Sequence, residues 1–310
     1  MKRMSSTRAF FIGVTLLGIL AAGTSGFAWN QSYHAYVAKT CLGLEGRYIA
    51  SYNARMGSTV PDFFWYLRDA GLIDEETAYR LHGNTEAECV SGETIYFYKI
   101  AQGLLEWWNY RLRYFTRGIR THVYADIVAH NPYEGYVEGT NRWADTLETR
   151  TGEDRALLHL AAEFAADALL VQKYGLQLND LLFTYRQGNF LERAIEEALG
   201  GEPEFDVSEE FRKYMALVRA LEKAALLYAP YLIKGGVDEE ALNQLEGSEL
   251  LEEISTLSKE SLGSYSEVLR ILVEYPKEIY DTLTADGIHW EKDALRDAIS
   301  FCKNPVICNE

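Results

Sequence analysis

Three side chains with metal-binding donors recur at a fixed interval in the middle of the chain: His122, Asp126 and His130. On a helix each step of four residues advances only about 40°, so all three project from one face. His159 and Glu163 repeat the same interval shortly afterwards. Imidazole nitrogens and carboxylate oxygens are the donors of catalytic zinc sites. Two facing helices that each offer such a pair can enclose a metal in a bundle. One His-x3-Asp pair alone is commonplace as a surface hydrogen bond, and only the combination of stripes points to a metal. Carboxylate-rich di-iron and di-manganese bundles share the chemistry, but their Glu-x-x-His motif is missing here. The sequence also lacks a phosphate-cradling Gly-rich loop followed by Lys, a His-Glu-x-x-His helix and a nucleophile elbow. Nucleotide-driven chemistry, metalloprotease chemistry of that type and serine hydrolysis are therefore not indicated.

The elements that must position these residues read as helices throughout. Asp74 is placed to cap a short helix that stops at Gly83. Ser91 is expected to open a longer helix carrying Tyr96, Ile100, Leu104, Trp107 and Trp108 and ending near Gly118. The next runs from about Ile119 to the Asn131-Pro132 break. A fourth spans about Glu153 to Tyr174 and stops at Gly175. The Asp206-Val207-Ser208-Glu209 run has capping-box spacing ahead of a long helix in which Pro230 should form a kink or an end. Sustained period-two alternation and hairpin turn pairs are missing, so the expected class is all-α. A compact multi-helix domain with a zinc cluster between helices, extended by C-terminal helices, is the expected architecture. Gly200-Gly201-Glu202-Pro203 is the one plausible joint.

The first 28 residues stand apart. Lys2, Arg3 and Arg8 precede an apolar run from Ala9 to Ala22, and Gly26-Phe27-Ala28 closes the segment. This is the pattern of a secretory signal peptide, with cleavage expected before Trp29 and export, periplasmic or secreted, to follow. Four cysteines, Cys41, Cys89, Cys302 and Cys308, suit two disulfides in an exported chain, with three pairings open. Cys302 and Cys308 are near enough to staple the C-terminal tail, leaving Cys41 with Cys89. The formal net charge of −16 gives no electrostatic footprint for duplex nucleic acid. It leaves phosphate-containing substrates open, because bound metal ions can dominate a local field.

With the leader removed, the chain begins Trp29-Asn30-Gln31-Ser32-Tyr33-His34. A new N-terminal Trp with a nearby His, then Pro61-Asp62, the isolated His82, the His122-x3-Asp126 helix with His130, and His159-x3-Glu163 follow in order. This series resembles the zinc-dependent phospholipase C and single-strand nuclease superfamily, over roughly Trp29 to Glu163. The resemblance implies up to three zinc ions. Asp62, His82, His122 and Asp126 would hold the first. The free amino group and carbonyl of Trp29, with His34 and the bridging Asp126, would hold the second. His130, His159 and Glu163 would hold the third. Asp62 would also orient or deprotonate the attacking water, making Asp62 and Asp126 the catalytic pair.

The four-residue step from Asp126 to His130, shorter than the six of well-studied members, and Glu163 in place of Asp place the resemblance on the phospholipase C-like side. Aromatics at positions comparable to Phe63 and Tyr79 help related phospholipases to hold choline. Ser32 stands where the phospholipase pattern has an acidic residue. Residues 29–190 would form the catalytic region and 191–310 a helical extension on the same domain. The implied partner is a phospholipid or other phosphodiester, with transient contact to a membrane surface. A single-strand nuclease or nucleotidase on the same site is the alternative, with Trp65 or Trp143 available for base stacking. A non-catalytic exported helical protein with structural zinc is the alternative from another class. His289 matches no ligand position and reads as a surface residue.

Overall fold

A computed structural model describes residues 31–83, 89–106, 108–130, 140–174, 178, 181–234, 263–285 and 290–308. Trp29, the leader with its cleavage site, and His289 lie outside the described residues. The protein is all-α, with one isolated parallel bridge, Val90 to Ile307, among the described residues. The helices are α1 (Gln31–Cys41), α2 (Tyr48–Gly57), α3 (Val60–Asp69), α4 (Glu75–His82), α5 (Tyr96–Gly103), α6 (Tyr110–His130) and α7 (Thr140–Thr151). They continue as α8 (Arg155–Tyr174), α9 (Tyr185–Leu199), α10 (Val207–Lys234), α11 (Gly263–Glu274), α12 (Pro276–Leu283) and α13 (Trp290–Lys303).

Helix α6 is the central element, packed against α1, α2 and α13, and α8 packs against α1, α7, α10 and α11. The Asp74 and Asp206 capping signals act as the sequence indicates. Asp74 accepts the Thr77 N–H at 2.7 Å, and Asp206 accepts the Glu209 N–H at 2.9 Å. Three boundaries differ from expectation. Ser91 opens no helix: its hydroxyl accepts the Glu93 and Thr94 N–H groups in a turn, and α5 begins at Tyr96. The break falls between Gly103 and Tyr110, and Gly118 lies inside α6. Gly118 is there for packing: a Cβ on it would stand 2.1 Å from the Ala54 carbonyl oxygen. Gly57 makes the reciprocal notch, with a Cβ position 1.8 Å from the Phe115 carbonyl oxygen. Together they let the α2 and α6 backbones touch. Pro230 does not end α10, and the helix runs on to Lys234.

The residues beyond Gly200-Gly201 share one core with those before it. Phe211 and Tyr214 of α10 pack their rings 5.0 and 5.6 Å from that of Phe63 on α3. Glu153 pairs with Arg270 through two contacts of 2.6 and 3.0 Å, fastening α11 to the start of α8. The disulfides pair Cys41 with Cys302 and Cys89 with Cys308, so the tail-stapling arrangement is corrected. Proximity in sequence misleads because α13 lies against α1 and α6, carrying Cys302 to the end of α1. Cys308 then reaches Cys89 beside a backbone clip: Val90 N–H to Val306 O at 2.7 Å and Cys308 N–H to Val90 O at 3.1 Å.

Candidate metal centre

Five helices bring their histidines and carboxylates to one place. Helix α3 opens on Val60 and Pro61, whose fixed φ suits a first turn, and Asp62 follows where the helix dipole favours a carboxylate. Helix α4 ends on His82, and Gly83 turns the chain away with φ of 104°. A Cβ on Gly83 would meet the Thr94 carbonyl oxygen at 2.3 Å, so only glycine lets the chain pass. The α2–α6 contact sets His122 so that its Nδ1 donates to the Ser58 carbonyl at 2.7 Å. His82 Nδ1 lies 3.2 Å from the Gly83 carbonyl. Both backbone partners leave Nε2 directed inward as an electron-pair donor, the usual support of a metal-binding imidazole.

The inward atoms converge on the two imidazoles of His82 and His122, with Asp62 and Asp126 each beside both. Asp62 Oδ1 is 3.2 Å from His82 Nε2 and 3.6 Å from His122 Nε2. The two imidazole nitrogens are 3.3 Å apart. Asp126 Oδ2 is 3.3 Å from His82 Nε2 and 3.2 Å from His122 Nε2. Ligands at about 2.0–2.1 Å from a tetrahedral zinc stand about 3.3 Å from each other. The other oxygen of Asp126 faces elsewhere, 3.0 Å from His34 Nε2 and 4.0 Å from His130 Nε2. His159 Nε2 and His130 Nε2 flank Glu163 Oε1 at 2.8 and 3.8 Å. Three donor groups result: Asp62 with His82 and His122; His34 with His122 and Asp126; and His130 with His159 and Glu163.

These groups suit cations better than they suit one another. His34 Nδ1 and Glu163 Oε2 are buried without a hydrogen bond, while His34 Nε2 meets the Asp126 carboxylate and Asp126 Oδ2 the His82 and His122 imidazoles. Buried polar atoms in that state cost free energy that a bound cation would recover. Burial opposes charge on His122, yet Asp62 and Asp126 overcome it and raise its pKa to about 9. Burial, reinforced by His122, lowers that of His34. Burial works to raise Asp126, but His122 and His34 hold its carboxyl well below the usual range. Exposure rises across the site: His34, Asp62 and His122 are sealed in, whereas the His130 and His159 side chains are 13 % and 18 % exposed. The third group is therefore the most exposed of the three.

The aromatic expectations need correction. Phe63 is fully buried among Phe64, Tyr66, Phe211 and Tyr214, so no substrate can reach its ring. Helical phase decides this, since neighbouring Asp62 occupies the face toward the histidines. Trp143 is buried too and offers no stacking surface. Tyr79 is half-exposed, and its ring is 6.5 Å from Trp65, which in turn lies 5.4 Å from His82. Trp65 is thus an aromatic beside the site, with the Arg68 guanidinium 4.7 Å from its ring centre. Two supporting residues escaped the sequence reading. The Gln31 amide donates to Asp62 Oδ2. Asp167, the next member of the His159–Glu163 stripe, accepts from the backbone of α1. The stripe was legible; its partner across 134 residues was not.

Fold and site together define a helical metalloprotein with histidine–carboxylate donor groups between its helices. The chain belongs to the zinc-dependent phospholipase C family: the family model described as "Zinc dependent phospholipase C" matches residues 35–215, more than half its length. That span holds Asp62, His82, His122, Asp126, His130, His159 and Glu163, and begins one residue after His34. No curated protein and no solved structure matches the chain.

Proposed function

We propose that this family member is an exported phosphodiesterase that hydrolyses the headgroup phosphodiester of phospholipids. The observation that carries the reading is the convergence of Asp62 and Asp126 on the His82 and His122 imidazoles, with the second oxygen of Asp126 turned toward His34. In this proposal those four residues hold one zinc. Trp29, through its free amino group and carbonyl, holds a second with His34 and Asp126. His130, His159 and Glu163 hold a third. Zinc in such sites supplies Lewis acidity and lowers the pKa of water to about 7.

The chain's own residues then divide the work. Gln31 grips Oδ2 of Asp62 and so fixes Oδ1 as the donor toward His82 and His122, and the remaining lone pairs of the carboxylate would orient the attacking water. Asp126 fixes the spacing of the inner groups. His130 and His159 stand where a phosphoryl group entering from solvent would first arrive. Exposed Tyr79, whose ring is 6.5 Å from that of Trp65, offers a π-face to a cationic headgroup. Hydrolysis adds water across the phosphorus–oxygen bond, releasing a phosphorylated headgroup and diacylglycerol. Two disulfides suit an oxidising compartment, consistent with export. None of the described helices is long and apolar enough to cross a membrane.

The test is an assay of the zinc-loaded chain beginning at Trp29 on phospholipid vesicles and on single-stranded nucleic acid, side by side. Release of water-soluble phosphorylated headgroup is expected. Nucleotide release alone would transfer the site to nuclease chemistry, and no turnover of either would sink the reading.

A further inference from the structure

Asp167 lies one helical turn beyond Glu163 on α8, yet it serves a different element. Its Oδ1 accepts the Tyr33 N–H at 3.1 Å and its Oδ2 accepts the Ser32 N–H at 3.4 Å. Those N–H groups belong to the first turn of α1, where a helix has no acceptors of its own. A side chain just before the helix normally fills that role. Here a carboxylate from another helix does so, inside the protein, with Asp167 only 4 % exposed. Burial pushes its carboxyl up to about 8; the Tyr33 and Ser32 N–H groups pull it down and nearby Glu222 pushes it up. Keeping an acid at such a position costs stability that an apolar side chain would not.

The cost has a return one residue further along. His34 follows Tyr33 directly, and its Nε2 stands 3.0 Å from Asp126 Oδ1. The same turn of α1 carries Gln31, whose amide holds Asp62. The start of α1 is therefore fastened on two sides, by Asp62 of α3 and by Asp167 of α8. We propose that Asp167 is a positioning residue: by capping α1 from α8 it sets His34 against Asp126. This rests on the zinc reading of the His34 group, and it assigns Asp167 no contact with substrate.

Cobalt and zinc titrations of the full chain starting at Trp29, followed by visible absorption and metal analysis, test the assignment. His34→Ala identifies the ion concerned. For that ion, Asp167→Ala is expected to weaken binding about 10- to 100-fold, the usual range for partners behind a metal ligand. Asp167→Asn keeps one acceptor and should lose only a few-fold, with the other ions unmoved in both variants. Tyr228→Phe, which removes the buried bond to the Leu272 carbonyl at 2.8 Å, controls for the loss of a buried hydrogen bond made by no proposed ligand. Wild-type binding in Asp167→Ala would overturn the proposal, and so would an equal loss in Tyr228→Phe. If Asp167→Ala does not accumulate, Asp167→Asn decides alone: unchanged affinity for that ion overturns the assignment. Because the readout is metal binding, a graded loss in a protein inactive on lipid would sink the substrate reading only.

Discussion

Asp126 offers its two oxygens in different directions: Oδ2 toward His82 and His122, Oδ1 toward His34 and His130. Glu163, by contrast, faces His130 and His159 among the described residues. The two carboxylates therefore predict different losses. Asp126→Asn halves the acceptors and removes the charge, and should weaken two ions together by more than about 100-fold. Glu163→Gln should weaken one. Metal analysis after dialysis separates the outcomes, and an Asp126→Asn protein with full zinc content and activity would refute the bridging role. His122 deserves the same treatment as a residue whose outer nitrogen is as well placed as its inner one, since Ser58 fixes its tautomer at 2.7 Å.

At the scale of elements, the site depends on how closely α2 and α6 approach. Gly57 and Gly118 remove the side chains that would hold the two backbones apart, and the register that results puts the Ser58 carbonyl beneath His122. Gly118→Ala is expected to destabilise by about 1–3 kcal/mol or more, because its Cβ meets backbone rather than a movable side chain. It should also weaken zinc binding by shifting His122. Gly103→Ala meets open space and should be neutral or slightly stabilising. Thermal denaturation of the two variants checks the contrast. Equal melting temperatures would show that the helices separate without penalty.

Over the whole molecule, the disulfides tie the C-terminal helix and tail to the N-terminal third. Cys41 ends the helix that carries His34, and its bond to Cys302 closes a separation of 261 residues; Cys89 to Cys308 closes 219. Links of that length constrain the unfolded chain, so removing either is expected to cost about 2–5 kcal/mol. Replacing Cys41 and Cys302 together by Ala should lower both the melting temperature and the affinity for the His34 ion. Replacing Cys89 and Cys308 should lower the melting temperature alone. Calorimetry with metal titration distinguishes them, and identical metal affinities in the two proteins would show that α1 holds its place without the first bond.

The chain's residues determined the helical class, the caps at Asp74 and Asp206, and the donors on α6 and α8, because helical periodicity and capping are local and repeat within one or two turns. Order along the chain also pointed to Asp62 and His82 through the family resemblance, and the structure brings both to His122 and Asp126. Local rules could not give the rest. Gly118 reads as a stop until Ala54 lies against it. Phe63 reads as a substrate contact until Phe211 and Tyr214 enclose it. The cysteine pairs, the hold of Gln31 on Asp62 and the capping of α1 by Asp167 each join distant segments. Such contacts are set by which helix faces pack together, and only the tertiary structure decides that.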